Sequence, residues 1–385
     1  MGSPETTASG QSLTSYAPVS LAYQLLHISS ILARLPLWVL SFALVPGWRL
    51  HPKWTLKQTL LMRAAKELVD MVGKAEVSET LSLEPGKEKD QFVIIEPASA
   101  DAYKGPLKNS VVAPATIGGT WYPKRPANLK NLDSHKTVVL HLHGGAFITG
   151  DGRIDKSGYC ASNLIQHAGA TAVFMPQYRL ACRPTSDPFP AALQDSLTSY
   201  LYLVRNEGIS PRNITVSGDS AGGNIAIGLL RYLAEFGDSL GIPQPQSAVL
   251  ISPWTTPANS LGPAVRTTSN PHYATDLLTH SILHWGAREY ARLVAATDPY
   301  ITPQGRPFAT PVPVFVNLGT AELFEADGTE WAREMAGVKG NVVEVNYEAG
   351  APHDTLLLGD SLGRQESAAG VAALVGAFIK KNQEE

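Results

Sequence analysis

Cysteine is scarce in this sequence, which has only two among its 385 residues, Cys160 and Cys182. A framework of several disulfides is therefore excluded, although a single bridge between the two is not. No CxxC motif and no cluster of cysteine with histidine is present, and these are the patterns that usually mark a zinc site. The sequence thus gives no indication of a bound metal.

The sequence also lacks a large excess of charge of either sign, since 31 basic residues stand against 34 acidic ones for a net charge of −3. Surfaces that bind nucleic acid are usually strongly basic, so we expect no nucleic-acid partner. Apolar residues make up 44% of the chain and charged residues 17%, a composition typical of a globular protein with a large core. The length favours one large domain with an extension rather than two complete enzymes.

Long apolar runs are lacking as well, and the nearest approach to one lies close to the N-terminus. Residues 21–48 are apolar on average, but His27, Arg34 and Pro36 interrupt them. The cleanest apolar run, residues 35–45, is too short to cross a bilayer as a helix. The simplest interpretation is a helix that packs on the body or covers the active site.

Two other interpretations of residues 21–48 remain open. One places the segment at a membrane surface, with Trp38 and Trp48 at the level of the lipid headgroups, and the other makes it a membrane anchor. The first residues carry no positive charge of the kind that begins a secretory signal peptide. We therefore expect a cytoplasmic protein, with peripheral membrane contact through residues 21–48 as the alternative to a fully soluble one.

Composition divides the chain into three parts. Residues 1–18 are small and polar, and we expect them to be disordered. Apolar positions in residues 54–72 have helical spacing, and the charged residues 84–91 contain a Pro-Gly turn signal. We therefore predict an N-terminal helical extension or cap over residues 19–90 and a catalytic domain over residues 91–385.

Short apolar runs alternate with longer helical patterns over the rest of the chain. Nearly continuous apolar or β-branched runs are typical of strands buried on both faces, as in a parallel sheet. The predicted strands are residues 92–95, 111–122, 137–142, 171–176, 213–217, 247–252, 313–318 and 342–347. The predicted helices are residues 157–167, 190–206, 221–236, 276–296, 322–336 and 365–381. The alternation predicts an α/β fold with a doubly wound, mostly parallel sheet of about eight strands, whose chemistry gathers at the carboxyl ends of the strands.

A Gly-x-Ser-x-Gly pentapeptide, Gly218 to Gly222, follows one predicted strand and begins a helical pattern. A strand that turns sharply into a helix holds the central serine, Ser220, in a strained conformation with its hydroxyl exposed. Side chains at the two glycine positions would clash with the neighbouring strand and helix. The helix N-terminus behind Ser220 also favours negative charge. This setting predicts that Ser220 is a nucleophile.

A second glycine motif, His143-Gly144-Gly145, comes directly after another predicted strand. A loop of small residues leaves its backbone N–H groups free to bind the oxygen that becomes negative during acyl transfer. We predict that Gly145, Ala146 and Ala221 donate to this oxyanion, with Gly144 as a further donor. The alternative is a tight turn without a catalytic role.

These motifs and several further blocks resemble the hormone-sensitive-lipase-like branch of the α/β-hydrolases, which is marked by HGG and GDSAG. The matching blocks are Tyr178–Ala181 (YRLA), Phe189–Ala192 (FPAA) with Asp195, Ile251–Trp254 (ISPW) and Asp298-Pro299. The resemblance extends from about residue 110 to 375 and does not cover the first hundred residues. It implies an α/β-hydrolase fold with a helical cap, inserted near residues 255–297, and a serine esterase that needs neither a metal nor a cofactor.

A serine nucleophile requires a general base, and in hydrolases of this fold the order along the chain is serine, acid, histidine. His353 follows the last predicted strand and matches the family's catalytic-histidine loop. Its rivals, His272, His280 and His284, fall in the region of the predicted cap. His143 is expected to orient its own loop.

The acid should follow the predicted strand 313–318. Aligning Gly319 and Leu323 with the family's pattern places Glu322 at the catalytic position, where most members have an aspartate. A glutamate can also orient the imidazole and stabilise its charged form. Asp327 is the alternative acid.

The resemblance implies a carboxylesterase for short- to medium-chain or acetyl esters, with a small-molecule ester, such as a secondary metabolite, as its binding partner. Two alternatives remain open: an acyltransferase or product-release enzyme that uses the same acyl-enzyme, and a non-catalytic ligand-binding protein on the same scaffold. Residues 255–297 and the N-terminal helices are expected to form the pocket. Trp254, Tyr273 and Trp285 are candidates for its lining, although core packing explains them equally well.

Overall fold

The computed structural model describes residues 13–16, 18–183 and 186–383, and its centre is one eight-stranded sheet. The strands are β1 (Phe92–Ile95), β2 (Ile117–Tyr122), β3 (Val138–Leu142), β4 (Ala172–Gln177), β5 (Ile214–Asp219), β6 (Ser247–Ile251), β7 (Val314–Gly319) and β8 (Val343–Glu348). Their order across the sheet is β1-β2-β4-β3-β5-β6-β7-β8. Strand β2 is antiparallel to both β1 and β4, and the other neighbours are parallel. The predicted α/β fold with a mostly parallel sheet is confirmed.

Helices cover both faces of this sheet and also form the N-terminal extension. They are α1 (Val19–Leu44), α2 (Leu56–Ala75), α3 (Ile154–Gln166), α4 (Ala191–Leu201), α5 (Ser220–Leu240), α6 (Val265–Thr268), α7 (His280–Tyr290), α8 (Glu325–Ala336), α9 (Thr355–Leu358) and α10 (Gln365–Gln383). Every helix predicted for the body occurs, with its ends displaced by a few residues.

The core lies on both faces of the sheet because successive side chains of a strand point to opposite sides. In β3, Leu140 and Leu142 belong to a cluster with α4 and α5 on one face, and Val139 belongs to a second cluster with α3 and α10 on the other. Strands buried on both faces require the continuous apolar runs that the sequence contains. The carboxyl ends of β3, β5, β6, β7 and β8 therefore meet at one edge, where the loops of interest lie.

The N-terminal extension packs on the insertion between β6 and β7, where the cap is predicted. Helix α2 begins with a capping box in which Thr55 and Gln58 satisfy each other's backbone amides. It crosses α7 so closely that a Cβ on Gly73 would lie 2.5 Å from the backbone nitrogen of Ile282. Glycine at this position allows α2 to reach the cap, so α2 and the cap form one wall above the sheet edge.

Helix α1 differs from the sequence-based prediction. The apolar run of residues 35–45 is too short to cross a bilayer, but α1 runs unbroken through Pro36 and has 26 residues in all, which is long and apolar enough to cross a membrane by length and composition. Proline removes one helical hydrogen bond, but Ile31 and Trp38 on either side of it pack towards the body and α2. Only 6% of the most apolar window of α1 is buried, so this helix is mostly exposed.

The first eighteen residues lie partly outside the described chain. Residues 1–12 and 17, for which the sequence predicts disorder, are among those that the structure does not describe. Within the same segment, Leu13–Ser15 form a short 3-10 helix, which differs from the expected disorder.

Candidate active site

Ser220 stands at the turn between β5 and α5. Its φ of 51° lies in the left-handed region, which a non-glycine residue adopts only under strain. A Cβ on Gly218 would lie 2.4 Å from the carbonyl oxygen of Gly222, and a Cβ on Gly222 would lie 1.9 Å from the carbonyl oxygen of Leu142. Glycine is thus required at both positions for the reason that the pentapeptide predicts.

The loop after β3 lies beside this turn and exposes backbone amides. Gly145 and Ala146 have φ values of 109° and 52°, and their amides donate to no other group within residues 13–16, 18–183 and 186–383. Ala221 lies in the first turn of α5, where a backbone amide has no partner inside the helix. The amides of these three predicted donors are therefore not used by the fold itself.

Gly144, the further candidate donor, lies against the nucleophile turn, since a Cβ on Gly144 would lie 2.1 Å from the Asp219 carboxylate. His143 holds the loop as predicted: its ring stacks on Tyr178 with centroids 4.1 Å apart, and its Nδ1 lies 2.7 Å from the carbonyl oxygen of Gly144. The Tyr178 hydroxyl donates to the carbonyl of His143 at 2.6 Å. The loop is therefore fixed by buried aromatic side chains.

His353 follows β8 and is 3% exposed. Its Nδ1 lies 3.4 Å from Oε2 of Glu322, and its ring meets the edge of Phe324 with centroids 5.2 Å apart. Burial lowers the pKa of His353, but hydrogen bonding to Glu322 and the negative charges of Asp276, Glu322 and Asp354 outweigh burial and raise this pKa above 6.5. The rival histidines lie in the cap insertion, as predicted.

Glu322 is fully buried and follows β7. The Ser252 hydroxyl donates to its Oε2 at 2.5 Å, which leaves the carboxylate aimed at His353. Burial raises the pKa of Glu322, although His353 and Ser252 oppose that change. The alternative acid, Asp327, accepts a hydrogen bond from Thr256 and makes no ion pair with His353. Of the two candidates, the structure brings only Glu322 to the imidazole.

Two residues that the sequence did not single out support this arrangement. Asp276, in the cap, is fully buried and accepts the backbone amide of Leu323 at 2.5 Å. Lys66 of α2 donates to the carbonyl oxygens of three cap residues, Tyr273, Asp276 and Leu278, at 2.5, 2.8 and 3.0 Å. The N-terminal extension thus holds the cap segment that in turn holds the Glu322 turn.

A buried polar network lies behind the nucleophile turn. His141 Nε2 is 2.9 Å from Asp219 Oδ1, and burial lowers the pKa of His141 to about 4, so this ring is neutral. Burial, together with repulsion from and hydrogen bonding to Asp219, raises the pKa of Asp354 well above its ordinary value. Asp219 precedes Ser220 and Asp354 follows His353, so the interaction of these two aspartates connects the nucleophile turn to the histidine loop.

Ser220 and His353 line the same cavity, of about 370 Å³, together with Gly144, Gly145 and Ala146. The other walls are mainly apolar. They include Leu68, Val69 and Val72 of α2 and Leu278, Ile282 and Leu283 of the cap. The suggestion that Trp254, Tyr273 and Trp285 line the pocket is wrong, since none of the three contributes to this cavity. The extension and the cap do form its wall, as expected.

Neither cysteine is part of this site or of a disulfide. Cys160 and Cys182 are both free and buried. Within the part of the chain that the structure describes, no group of three or more His, Cys, Asp or Glu side chains is arranged to hold a metal ion.

Comparisons with known proteins agree with this architecture. Residues 139–357 match a family model described as the alpha/beta hydrolase fold. An acetyl-hydrolase of Streptomyces hygroscopicus is 33% identical over 52% of this chain and 62% of its own length. An ethyl acetate hydrolase of Pseudomonas putida is 29% identical over 63% of this chain and 72% of its own length. The alignment thus covers less than two thirds of the Streptomyces protein.

Solved structures extend the likeness beyond the matched segment. The crystal structure of an esterase from the bacterial hormone-sensitive lipase family superposes with a TM-score of 0.59 over 86% of this chain and 99% of the other, at 20% identity. At that identity the likeness shows the fold. Since the family model covers more than half of the residues and the superposition most of the remainder, this chain belongs to the α/β-hydrolase fold family.

Proposed function

We propose that this chain is a serine carboxylesterase that hydrolyses short acyl esters, with acetyl esters as the first candidates. Ser220 is the nucleophile, His353 the general base and Glu322 the acid that orients it. The observation that carries the proposal is that strained Ser220 shares one cavity with His353. The Nδ1 atom of His353 in turn lies 3.4 Å from the Glu322 carboxylate. The names of the Streptomyces and Pseudomonas relatives support acetyl esters as the substrate class.

The reaction runs in two halves. In the first, His353 takes the hydroxyl proton as Ser220 attacks the ester carbonyl, and it then returns that proton to the departing alcohol as the ester C–O bond breaks. In the second, His353 takes a proton from water, which attacks the acyl-enzyme, and Ser220 regains its proton as the carboxylic acid leaves. Glu322 stabilises the imidazolium formed in each half.

The developing negative charge is met by backbone amides. Gly145, Ala146 and Ala221 donate to the carbonyl oxygen as it becomes an oxyanion, and a donor of this kind lowers the barrier by about 3 kcal/mol. Gly144 is the further candidate donor from the same loop. It also brings the loop close to the nucleophile turn, since a Cβ on Gly144 would lie 2.1 Å from the Asp219 carboxylate.

The cavity favours an apolar substrate. Most of its wall beyond the catalytic residues consists of leucine, isoleucine and valine side chains of α2 and the cap, which contribute no hydrogen bonds to a polar alcohol. Glu79, Thr149, Lys156 and Ser157 are the polar exceptions. Such a lining binds substrates by burying apolar area. We therefore infer an ester whose alcohol or acyl portion is a hydrocarbon, within the short-acyl class.

Hydrolysis of p-nitrophenyl esters from acetate to dodecanoate tests this proposal. We expect the highest kcat/KM at short acyl chains and a loss of at least about 1,000-fold in Ser220→Ala. Ser239→Ala, at the far end of the same helix, should match the wild type. Absence of turnover on every ester, or turnover that survives in Ser220→Ala, would contradict the proposal.

Adding a short alcohol to the same assay separates hydrolysis from acyl transfer. A hydrolase releases mainly the free acid, whereas an acyltransferase gives mainly the new ester. A predominance of the new ester at low alcohol concentration would replace the hydrolase assignment by the acyltransferase.

A further inference from the structure

Helix α1 exposes most of its large apolar residues, whereas the helices of soluble proteins turn their apolar side inwards. Its polar residues Gln24, His27 and Arg34 lie on the half-buried side, as does Ser41. Its large apolar residues are exposed, with Leu26, Leu32, Leu37 and Leu44 at 72%, 63%, 63% and 76%. The face that meets the body also carries Tyr23, Ile31, Trp38 and Phe42 and is therefore mixed, whereas the outer face is apolar apart from Ser29 and Ser30.

The two ionisable residues of the inner face, His27 and Arg34, bind α2. Arg34 donates two hydrogen bonds to the Glu67 carboxylate, at 3.2 and 3.0 Å, and Arg63 pairs with the same carboxylate at 2.9 Å. His27 Nε2 lies 3.1 Å from the backbone carbonyl of Glu67. These contacts hold the inner face of α1 against α2, so any additional partner of α1 must meet the apolar outer face.

The outer face is broad as well as apolar. At 100° per residue, the exposed positions of α1 extend over more than half of the helix circumference along its whole length of about 39 Å. A second protein or a second copy of this chain would contact a narrower stripe of a single convex helix. A lipid surface surrounds such a helix on every side that is not held by the body.

We propose that the outer face of α1 docks into a lipid bilayer, with the helix lying in the plane of the membrane. A spanning orientation is disfavoured because α2 runs along α1 and carries Arg63, Glu67, Asp70 and Lys74 beside it. Moving this pair of helices across the hydrocarbon region would bury those charges in lipid. An in-plane orientation keeps the charged residues of α2 out of the hydrocarbon region, between α1 and the body of the protein.

The aromatic residues fit this orientation in part. Trp48, just beyond the end of α1, is 64% exposed and can lie at the headgroup level, where tryptophan is favoured. Trp38 lies on the inner face between the guanidinium groups of Arg34 and Arg63, 5.1 and 5.3 Å from its ring centre. Only Trp48 of the two tryptophans therefore faces the lipid.

The docked helix lies close to the catalytic cavity. Helix α2, which carries α1 on one side, lines the cavity with Leu68, Val69 and Val72, and Leu68 remains 43% exposed. An apolar ester dissolved in the membrane would thus reach the cavity past a single helix. This last step rests on the proposed function, whereas the docking itself does not.

Co-sedimentation with phosphatidylcholine vesicles tests the docking in the full chain. We expect the wild type and Ser220→Ala to bind equally, which separates binding from the proposed esterase activity. The triple variant Leu26→Glu, Leu32→Glu, Leu37→Glu should lose at least about 100-fold in vesicle partitioning, and these exposed positions make no packing contribution that folding needs.

The matched control is Val111→Glu, Leu293→Glu, Leu374→Glu, which places three charges at exposed apolar positions outside α1. It should bind vesicles like the wild type. Equal partitioning of the two triple variants, absence of vesicle binding by the wild type, or an intact mass that lacks residues 19–44 would overturn the proposal.

Extraction at alkaline pH then tests the orientation. A helix that lies in the plane should release the chain into the supernatant, and Trp48 fluorescence should be quenched by lipids brominated near the headgroup. Retention in the bilayer, with quenching from lipids brominated at the chain ends, would replace the in-plane orientation by a spanning one.

Discussion

Asp276 accepts the backbone amide of Leu323 at 2.5 Å and so joins the cap to the turn that carries Glu322. Its second carboxylate oxygen accepts the amide of Leu278 at 2.9 Å, and its own carbonyl is held by Lys66 at 2.8 Å. The position of Glu322 thus depends on a chain of contacts that begins in the N-terminal extension. The cap is therefore more than a cover for the cavity, because it positions Glu322, the proposed acid.

Asp276→Asn should lower kcat/KM by about 10-fold, since an amide nitrogen would face a backbone donor and one buried hydrogen bond would be lost. It should also shift the acid limb of the pH profile to lower pH, because the Asp276 charge helps to raise the pKa of His353. Asp298→Asn removes a similar carboxylate, which accepts the amide of Tyr300 at 2.9 Å, and should leave the profile in place. An Asp276→Asn profile that keeps the wild-type limb would show that Asp276 has only a structural role.

The pH dependence of the wild type should show an acid limb in kcat/KM above pH 6.5. His353 must be neutral to accept the proton of Ser220, and the charges around it raise its pKa above the ordinary value. Activity therefore falls as the pH is lowered through this raised pKa. An acid limb of kcat/KM at or below pH 6.5 would contradict the electrostatic account. Circular dichroism over the same pH range is the control that the protein stays folded.

Glu322→Gln should lower kcat by about 10,000-fold, because an amide can no longer stabilise the imidazolium. Asp327→Asn should change kcat by less than about 3-fold, since Asp327 bonds Thr256 and makes no ion pair with His353. Steady-state kinetics of both variants on one acetyl ester make the comparison. The opposite result would move the acid to Asp327.

Gly222→Ala should lower the free energy of unfolding by about 3 kcal/mol or more, because its Cβ would lie 1.9 Å from the carbonyl oxygen of Leu142. Gly370→Ala is the matched control, since it lies in α10 with no atom within 4 Å of the new Cβ. We expect this second change to stabilise the protein by about 0.5–1 kcal/mol. Urea denaturation of both variants measures the difference, and equal stabilities would show that the turn has more room than its geometry indicates.

Much of the fold follows from local sequence patterns. The buried strands are readable because both of their faces require apolar residues, and the Ser220 turn is readable because its two glycines are dictated by close backbone contacts. The ends of elements are less readable, as at β2, which begins at Ile117 although its apolar pattern begins at residue 111. Helix ends depend on capping and packing that the pattern does not contain.

The remaining features depend on contacts between distant parts of the chain. Lys66 meets carbonyls more than 200 residues away, and nothing in its local pattern distinguishes it from a solvated lysine. Asp276 likewise has no motif around it. The full length of α1 is hard to predict for another reason: Arg34 and Pro36 interrupt its apolar run, whereas in the fold Glu67 of α2 pairs with that arginine.

The most direct test of the central claim is to treat the purified protein with a fluorophosphonate, which reacts with activated serines, and to map the labelled residue by mass spectrometry. The account predicts one equivalent of label on Ser220 in the wild type, and a loss of labelling in His353→Ala because no base is left to activate the hydroxyl. Equal labelling of wild type and His353→Ala, or label on another serine, would contradict the assignment of Ser220 and His353 as nucleophile and base.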